Sequence, residues 1–235
     1  GVDGAVFTHV SNVFGYILPV KEMAAECRAA GVPFVLDAAQ SAGSLPVDFG
    51  ALGAEFIAMP GHKGLLGPQG TGLLLCGDPG KPLLFGGTGT LSREKTMPED
   101  LPERLEAGTV NVPGAAGLAA GIRLVRSLTP EKIFARGHGQ TMACGRALEE
   151  MGYRVFTGPH QAMTLSFQGK ADCEEIAEAL GSRGIAVRAG LHCAPLAHES
   201  AGTLEKGTVR ISFGHDASPA QTNALLRVLR EKPEG

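Results

Sequence analysis

The alternation of short apolar runs with a helical segment constrains the fold of this chain most strongly. Residues 5–10 are a strand candidate, and residues 33–37 and 56–59 are short apolar runs of the kind buried in parallel sheets. Residues 20–30 have the pattern of a helix, which Gly31 is positioned to end. Strands that alternate with helices predict an α/β fold with its sheet near the start of the chain.

The sheet is expected to be mixed and to end at a long loop. Residues 71–76 form another apolar run, and the Gly-Pro-Gln-Gly link before it is so short that an antiparallel pairing is predicted. Residues 77–113 are rich in glycine, proline and charge, which indicates a functional loop that crosses between domains. We therefore predict a partial large domain with a mixed sheet over residues 1–113.

The rest of the chain, residues 114–235, is predicted to form a small C-terminal α+β domain. It begins with a small-residue helix at 114–128, expected to be buried, and a second helix that Thr129 is positioned to cap. Alternating patterns predict half-buried strands. The further predicted elements are strands at 153–156, 163–167 and 209–213, and helices opening at Asp172 and Ser218.

Composition restricts the partners. The chain has 235 residues, 43% of them hydrophobic, and a net charge of −3 without a long charged run, which argues against nucleic acid and anionic membranes as partners. No apolar stretch approaches the length of a membrane span. The 5 cysteines form no framework spacing, which favours a reducing, cytoplasmic setting. Because the sequence starts at Gly1 without a methionine, we expect a fragment or a processed chain.

Lys63 is the first candidate for chemistry, because it lies in the glycine-rich turn Gly61-His62-Lys63-Gly64 after an apolar run. Asp37 ends an earlier apolar run, and Gln40 follows three residues later. A lysine amine that binds an aldehyde and a carboxylate that holds a pyridine nitrogen protonated are the two groups a pyridoxal phosphate (PLP) site needs. The alternatives are a solvated surface lysine and a turn aspartate.

Cys193 is the second candidate, because it follows Gly190 in a loop with His192 adjacent and Arg188 close by. Cationic neighbours can lower the pKa of a thiol and make it a nucleophile, whereas a buried inert thiol is the alternative. A metal site formed by His192, Cys193 and His198 matches no standard zinc spacing, so no metal is predicted.

Arg210 stands between apolar neighbours in a predicted strand and needs an anionic partner. A substrate carboxylate and a structural pair with Glu205 are both open.

Five segments, taken together, resemble the class V aminotransferase family, and within it the cysteine desulfurases. They occur in the order found in those enzymes, and the likeness covers nearly the whole chain. The segments are Thr8-His9-Val10-Ser11-Asn12, Asp37-Ala38-Ala39-Gln40, Gly61-His62-Lys63, Glu106-Ala107-Gly108-Thr109 and Arg188-Ala189-Gly190-Leu191-His192-Cys193-Ala194-Pro195.

The resemblance implies a PLP-dependent transferase fold (type I), a homodimer and a role for each matching residue. Lys63 would hold PLP through its amine and move protons, and Cys193, on a mobile loop, would take sulfur from L-cysteine as a persulfide while alanine is released. For the cofactor, the resemblance implies that Asp37 binds the ring nitrogen, Gln40 the phenolic oxygen and His62 the phosphate, and that Thr109 binds the phosphate of the neighbouring subunit. Asn12 would contact both cofactor and substrate. Arg210 would bind the substrate carboxylate, and Arg188 would support the cysteine loop. A sulfur-acceptor protein is the implied partner.

The chain departs from the family pattern in two respects. Pro60 stands where family members carry a serine or threonine that binds the phosphate, and proline offers neither a hydroxyl nor a backbone N–H. The long N-terminal region of the family, which completes the cofactor site, has no counterpart in this sequence. Alternative expectations are therefore another class V reaction, such as that of a selenocysteine lyase, an epimerase or an aminotransferase, or a non-catalytic fragment.

Overall fold

The computed structural model describes residues 1–89, 91 and 93–231. These residues form two compact units. The first comprises Gly1–Phe7, Val20–Ala39 and Asp48–Val125, and the second comprises Thr8–Pro19, Gln40–Val47 and the chain from Arg126 onwards. The predicted domain boundary at residue 113 stays a prediction, and residues 232–235 of the predicted second domain lie outside the described residues.

The first unit contains the predicted mixed sheet. Its strands lie in the order β1 (Ala5–Thr8), β2 (Phe34–Asp37), β3 (Phe56–Pro60) and β4 (Gly72–Cys76). Strands β2 and β3 are parallel, whereas β3 and β4 are antiparallel, as predicted, and residues 61–71 connect them. Each of these two parallel strands has one apolar residue that is fully buried, Leu36 in β2 and Ile57 in β3, whereas Ala58 of β3 is exposed.

Three helices accompany this sheet. Helix α1 (Val20–Ala29) ends near Gly31, whose φ of 65° is left-handed, as predicted. Helix α2 (Phe49–Leu52) is too short to be found from periodicity, and its Asp48 cap accepts a hydrogen bond from the Ala51 amide.

Helix α3 (Val112–Leu128) corrects the expectation of a buried helix. It buries a single stripe, formed by Gly114, Leu118, Gly121 and Val125. Small residues fit closely on that stripe, and they also cover most of the exposed face, so composition alone could not identify the buried side.

The second unit is an antiparallel sheet covered by helices, as expected for an α+β domain. Its strands are β5 (Arg154–Phe156), β6 (Thr164–Gln168), β7 (Arg188–Gly190) and β8 (Thr208–Ser212), in the order β5-β6-β8-β7. Its helices are α4 (Pro130–Glu150), α5 (Cys173–Gly181), α6 (Pro195–Ala201) and α7 (Pro219–Glu231). Alternate residues of the central strands, such as Leu165, Phe167, Val209 and Ile211, form the core with apolar residues of the helices.

Two local expectations for the second unit need correction. Thr129 precedes α4, but among the described residues its side chain makes no capping bond, because its φ of 62° departs from the extended backbone of a capping residue. Strand β6 was expected to be half-buried, yet Ser166 is as buried as Leu165 and Phe167. The Ser166 hydroxyl donates to the Val13 carbonyl at 2.6 Å, so a segment of the chain covers that face of the strand.

Among the described residues, no helix is both long enough and apolar enough to span a bilayer.

Candidate functional site

Asp37 and Lys63 lie at the same edge of the sheet in the first unit. Asp37 is the last residue of β2, and Lys63 follows the end of β3 at Pro60 by three residues. Because β2 and β3 are parallel neighbours, with Asp37 opposite Ala58, their carboxyl ends meet at one edge. Ligands of open α/β sheets bind at this edge. Both side chains are exposed there.

The loop that carries Lys63 is tightly closed. The Gly67 amide donates to the Gly61 carbonyl at 2.8 Å, and the Leu66 amide donates to the Lys63 carbonyl at 3.0 Å. A Cβ atom on Gly61 would lie 2.1 Å from the Thr71 hydroxyl oxygen, so a glycine is required there. Gly61, two residues before the lysine, therefore has a structural reason.

The groups at this edge fit PLP. Asp37 accepts a hydrogen bond from the Ala39 amide on Oδ1, at 2.8 Å, which leaves Oδ2 to accept one from a protonated pyridine nitrogen. Lys63 offers an amine and His62 an exposed imidazole on the same loop. A carboxylate, an amine and a hydrogen-bond donor are groups that suit the ring nitrogen, the aldehyde and the phosphate of PLP. Thr109 lies exposed in the long loop of the same unit, while the half-buried Gln40 belongs to the second unit.

In the second unit, Asn12 links the two other candidates. Its side-chain amide donates to the His192 carbonyl at 2.7 Å, and its own carbonyl accepts from Arg210 Nη1 at 2.9 Å. The loop of Cys193 and the strand of Arg210 are thus joined through one residue of a third segment. Asn12 Oδ1 stays available as an acceptor.

Arg188 and Arg210 form a pair of like charges. They lie directly opposite each other on β7 and β8, so their side chains share one face of the sheet. Arg210 is half-buried, its Nε is buried without a hydrogen-bond partner among the described residues, and neither arginine makes an ion pair within that part of the chain. The Cys193 sulfur lies 3.5 Å from Arg188 Nη2. Uncompensated positive charge beside a thiol favours an anion at this position.

Cys193 lies on a strained turn. The Ala194 amide donates to the Leu191 carbonyl at 2.9 Å, and the two residues between them, His192 and Cys193, have φ values of 52° and 61°. Positive φ at both central positions is typical of type I′ turns, which favour asparagine and glycine. For other residues the left-handed conformation costs about 1–2 kcal/mol each. This turn leaves Cys193 exposed and His192 buried.

The structure alters the role expected for His192. Its Nε2 lies 3.1 Å from the Thr208 carbonyl oxygen and 3.0 Å from the Thr208 hydroxyl. Burial, with a smaller contribution from the Arg210 charge, lowers the pKa of His192 to about 4, so the imidazole is neutral at physiological pH. A neutral ring adds no charge next to Cys193, and the cationic neighbour of the thiol is Arg188.

Among the described residues, His192, His198 and Cys193 do not appear as a group of possible metal ligands. The ring of His198 lies 5.6 Å from that of His192, and its Nδ1 is 2.8 Å from the Thr203 hydroxyl. Within the described part of the chain, the group of three possible ligands lies elsewhere, at Asp172, Cys173 and Glu174.

Gln161 is a residue that the sequence analysis missed. It is 1% exposed, and its side chain donates to the Phe14 carbonyl at 2.7 Å and accepts from the Gly158 amide at 2.9 Å. It therefore fixes the segment that carries Asn12. A glutamine in a loop gives no sequence signal of this kind, whereas the glycine between Phe14 and Tyr16 indicates a close approach of backbones.

We expect Gly15→Ala to destabilise the second unit strongly. Gly15 has a φ of 71°, and a Cβ atom there would lie 2.0 Å from the Thr164 carbonyl oxygen. Overpacking and left-handed strain together predict a loss of roughly 2–5 kcal/mol in the free energy of unfolding. Denaturant titration would measure it. Gly152→Ala is the matched control, because its φ is 88° but nothing lies within 4 Å. Equal losses in both variants would contradict the clash.

The sequence as a whole matches a family of known proteins. A sequence model of the class V aminotransferases matches residues 3–225. The chain belongs to the class V aminotransferase family. Members of this family are PLP enzymes. This agrees with the fit of the Asp37 and Lys63 side chains, which lie at one sheet edge, to PLP.

Individual relatives of this class V family member are named as cysteine desulfurases. It is 35% identical over 235 residues to a probable cysteine desulfurase of Methanothermobacter thermautotrophicus, covering 95% of the chain and 59% of the relative. It is 40% identical over 199 residues to a cysteine desulfurase of Synechococcus elongatus, covering 80% of the chain and 31% of the relative. The chain thus spans less than two thirds of the length of these relatives.

Solved structures show the same likeness. The apo structure of the cysteine desulfurase from Thermococcus onnurineus superimposes with a TM-score of 0.91 at 33% identity, covering 100% of this chain and 61% of that one. The expected PLP-dependent transferase fold, with a partial large domain, is thereby confirmed.

Proposed function

We propose that this chain is a PLP-dependent cysteine desulfurase or a portion of one. The enzyme would take sulfur from L-cysteine as a persulfide on Cys193 and release alanine. The observation that carries the proposal is the uncompensated pair Arg188 and Arg210 beside the exposed Cys193. Like charges directly opposite each other destabilise a sheet, so a pair without an acidic partner among the described residues is better explained by an anionic substrate.

Arg210 is proposed to bind the substrate carboxylate. Its Nη1 is used by the Asn12 carbonyl, while its buried Nε has no partner among the described residues. A guanidinium fork suits a carboxylate, and a half-buried cation gains more from such a partner than an exposed one does. Asn12 would assist through its free side-chain oxygen, which can accept from the substrate amino group.

The cofactor half of the proposal rests on Asp37, Lys63 and His62 of the first unit and on Gln40 of the second. When bound, PLP supplies an electron sink for the carbon atoms of the substrate. Asp37 would hold a proton on the ring nitrogen, and Lys63 would carry protons to and from the substrate at Nζ. Gln40 is proposed for the phenolic oxygen and His62 for the phosphate.

Cys193 is proposed to accept the sulfur. Its thiolate attacks the sulfur of the bound cysteine, so an S–S bond forms while the C–S bond breaks. The electron pair of the C–S bond goes to the substrate carbon, which takes up a proton and becomes the methyl group of alanine. The proton lost by the Cys193 thiol balances that uptake. The proximity of Arg188 Nη2 stabilises the attacking thiolate.

The resemblance supports three further proposals. Thr109, exposed in the long loop, would reach the phosphate of a second subunit, so a homodimer is proposed. An exposed Cys193 would pass its sulfur to an acceptor protein. A cytoplasmic location is also proposed, because the number of cysteines is odd and those in the described residues form no disulfide, as a reducing compartment favours.

Arg210→Met tests the substrate site. We expect KM for L-cysteine in alanine release to rise at least about tenfold, because a charge-assisted hydrogen bond to the carboxylate is lost. The free energy of unfolding should change little, since the substitution removes an uncompensated, half-buried charge. Alanine release at a series of cysteine concentrations, with PLP added, and thermal unfolding are the measurements.

Arg183→Met is the matched control, because Arg183 is exposed and pairs with Glu231 at 3.1 Å on the same unit. It should leave KM unchanged. Strong destabilisation of Arg210→Met at an unchanged KM would give Arg210 a structural role instead. No alanine release by the unaltered chain with PLP would overturn the desulfurase proposal.

A further inference from the structure

The turn that presents Cys193 is held by the residue before it. His192 is 3% exposed, and its imidazole bonds to both the hydroxyl and the carbonyl of Thr208. Its backbone carbonyl accepts from the Asn12 side chain. Both the side chain and the main chain of His192 are therefore held by hydrogen bonds, although its left-handed backbone is unfavourable for a histidine.

A second buried imidazole lies against the first. His198, in α6, is 0% exposed, and its ring packs 5.6 Å from that of His192. His198 is itself bonded to the Thr203 hydroxyl at 2.8 Å. His192 therefore has a buried ring as a neighbour in addition to its bonds to Thr208.

The anchor and the proposed carboxylate clamp share one strand. Thr208 and Arg210 are two residues apart on β8, so their side chains lie on the same face. A bond from His192 to Thr208 therefore sets the position of the next residue, Cys193, relative to the guanidinium of Arg210. A nucleophile and a substrate clamp need such a fixed relation, because small misplacements cost large factors in rate.

We propose that His192 is a positioning residue for Cys193, whose buried side chain anchors the strained turn to β8. The proposal rests on the proposed function of Cys193 as the sulfur acceptor. In place of the expected mobile loop, the proposal gives a turn in which His192 stays in place while the exposed cysteine changes its own side-chain conformation.

The experiment compares His192→Leu, which cannot bond to Thr208, with His192→Gln, whose amide can donate to it. With PLP present, His192→Leu should release alanine at least about tenfold more slowly at saturating cysteine, with KM unchanged. His192→Gln should recover most of the rate. His160→Leu, which alters an exposed loop histidine of the same unit, is the matched control and should behave like the unaltered chain.

Hydrogen exchange gives a readout that needs neither cofactor nor activity. In His192→Leu the amides of residues 191–194 should exchange faster, while those of β6 keep their rate, because the bond fixes the turn rather than the core. A merely structural role would accelerate exchange in β6 as well. If His192→Leu does not fold, His192→Asn replaces it, since asparagine tolerates the left-handed backbone but is too short to reach Thr208.

The outcomes separate the two proposals. If His192→Leu leaves kcat and the exchange of residues 191–194 unchanged, the proposal that His192 anchors the turn is wrong. It is also wrong if the amides of β6 exchange faster to the same extent as those of the turn. If the unaltered chain releases no alanine, the desulfurase proposal fails. Hydrogen exchange then still tests the anchor, because faster exchange in His192→Leu that is confined to the turn would support it.

Discussion

Lys63→Ala is expected to abolish the visible absorbance of bound PLP and the release of alanine from L-cysteine. Lys63 is the amine proposed to bind the cofactor covalently and to carry protons, and loss of general acid–base catalysis alone costs roughly 10²–10⁴-fold in rate. The side chain is exposed on a loop that backbone bonds close, so the fold should survive. Absorbance spectra and alanine release measure the effect.

Lys21→Ala is the control for this variant, because Lys21 is an exposed lysine of α1 in the same unit. It should keep the absorbance and the rate. An equal absorbance in Lys63→Ala and the unaltered chain would show that the cofactor is not held through this amine, and the surface-lysine interpretation would stand.

Cys193→Ser is expected to separate cofactor binding from sulfur transfer. The variant should keep the visible absorbance of PLP, because Cys193 is not among the proposed cofactor ligands. It should form no persulfide, and alanine release should fall by roughly 10³-fold or more, since the nucleophile is removed. Mass spectrometry of the protein after incubation with L-cysteine detects the added sulfur.

Cys27→Ser serves as the control, because Cys27 is a half-buried free thiol in the first unit. It should form the persulfide normally. Undiminished sulfur release by Cys193→Ser would instead point to an elimination reaction, as in the lyases of the class V family, and the proposed sulfur transfer to Cys193 would be wrong.

Much of the fold could be predicted because its signals are local. The runs that became β2 and β3 are continuously apolar, and β4 pairs antiparallel to β3, as the sequence predicted. The buried side of α3 could not be predicted, because small residues occur on both of its faces. Nor could the burial of Ser166, which depends on a hydroxyl bond to Val13, distant in sequence.

The residues of the candidate site could likewise be predicted in part from local sequence. Asp37, Lys63, Cys193 and Arg210 are recognisable because their chemistry is unusual for their surroundings in the sequence: an acid at the end of an apolar strand, a lysine among glycines, a cysteine after a glycine, and an arginine between apolar residues. Their identity as candidates therefore comes from the sequence. The roles proposed for them in catalysis stay predictions for the variants to test.

The sequence by itself determined the family, the alternation of strands and helices, and which residues carry reactive groups, because these depend on residue type and short spacing. Only the tertiary structure decided that Arg188 lies opposite Arg210 and that the buried imidazole of His192 bonds to Thr208. It also decided that Gln161 donates to the Phe14 carbonyl and so holds the segment that contains Asn12. Each of these depends on hydrogen bonds or strand register between distant segments. No local pattern of residues encodes such contacts.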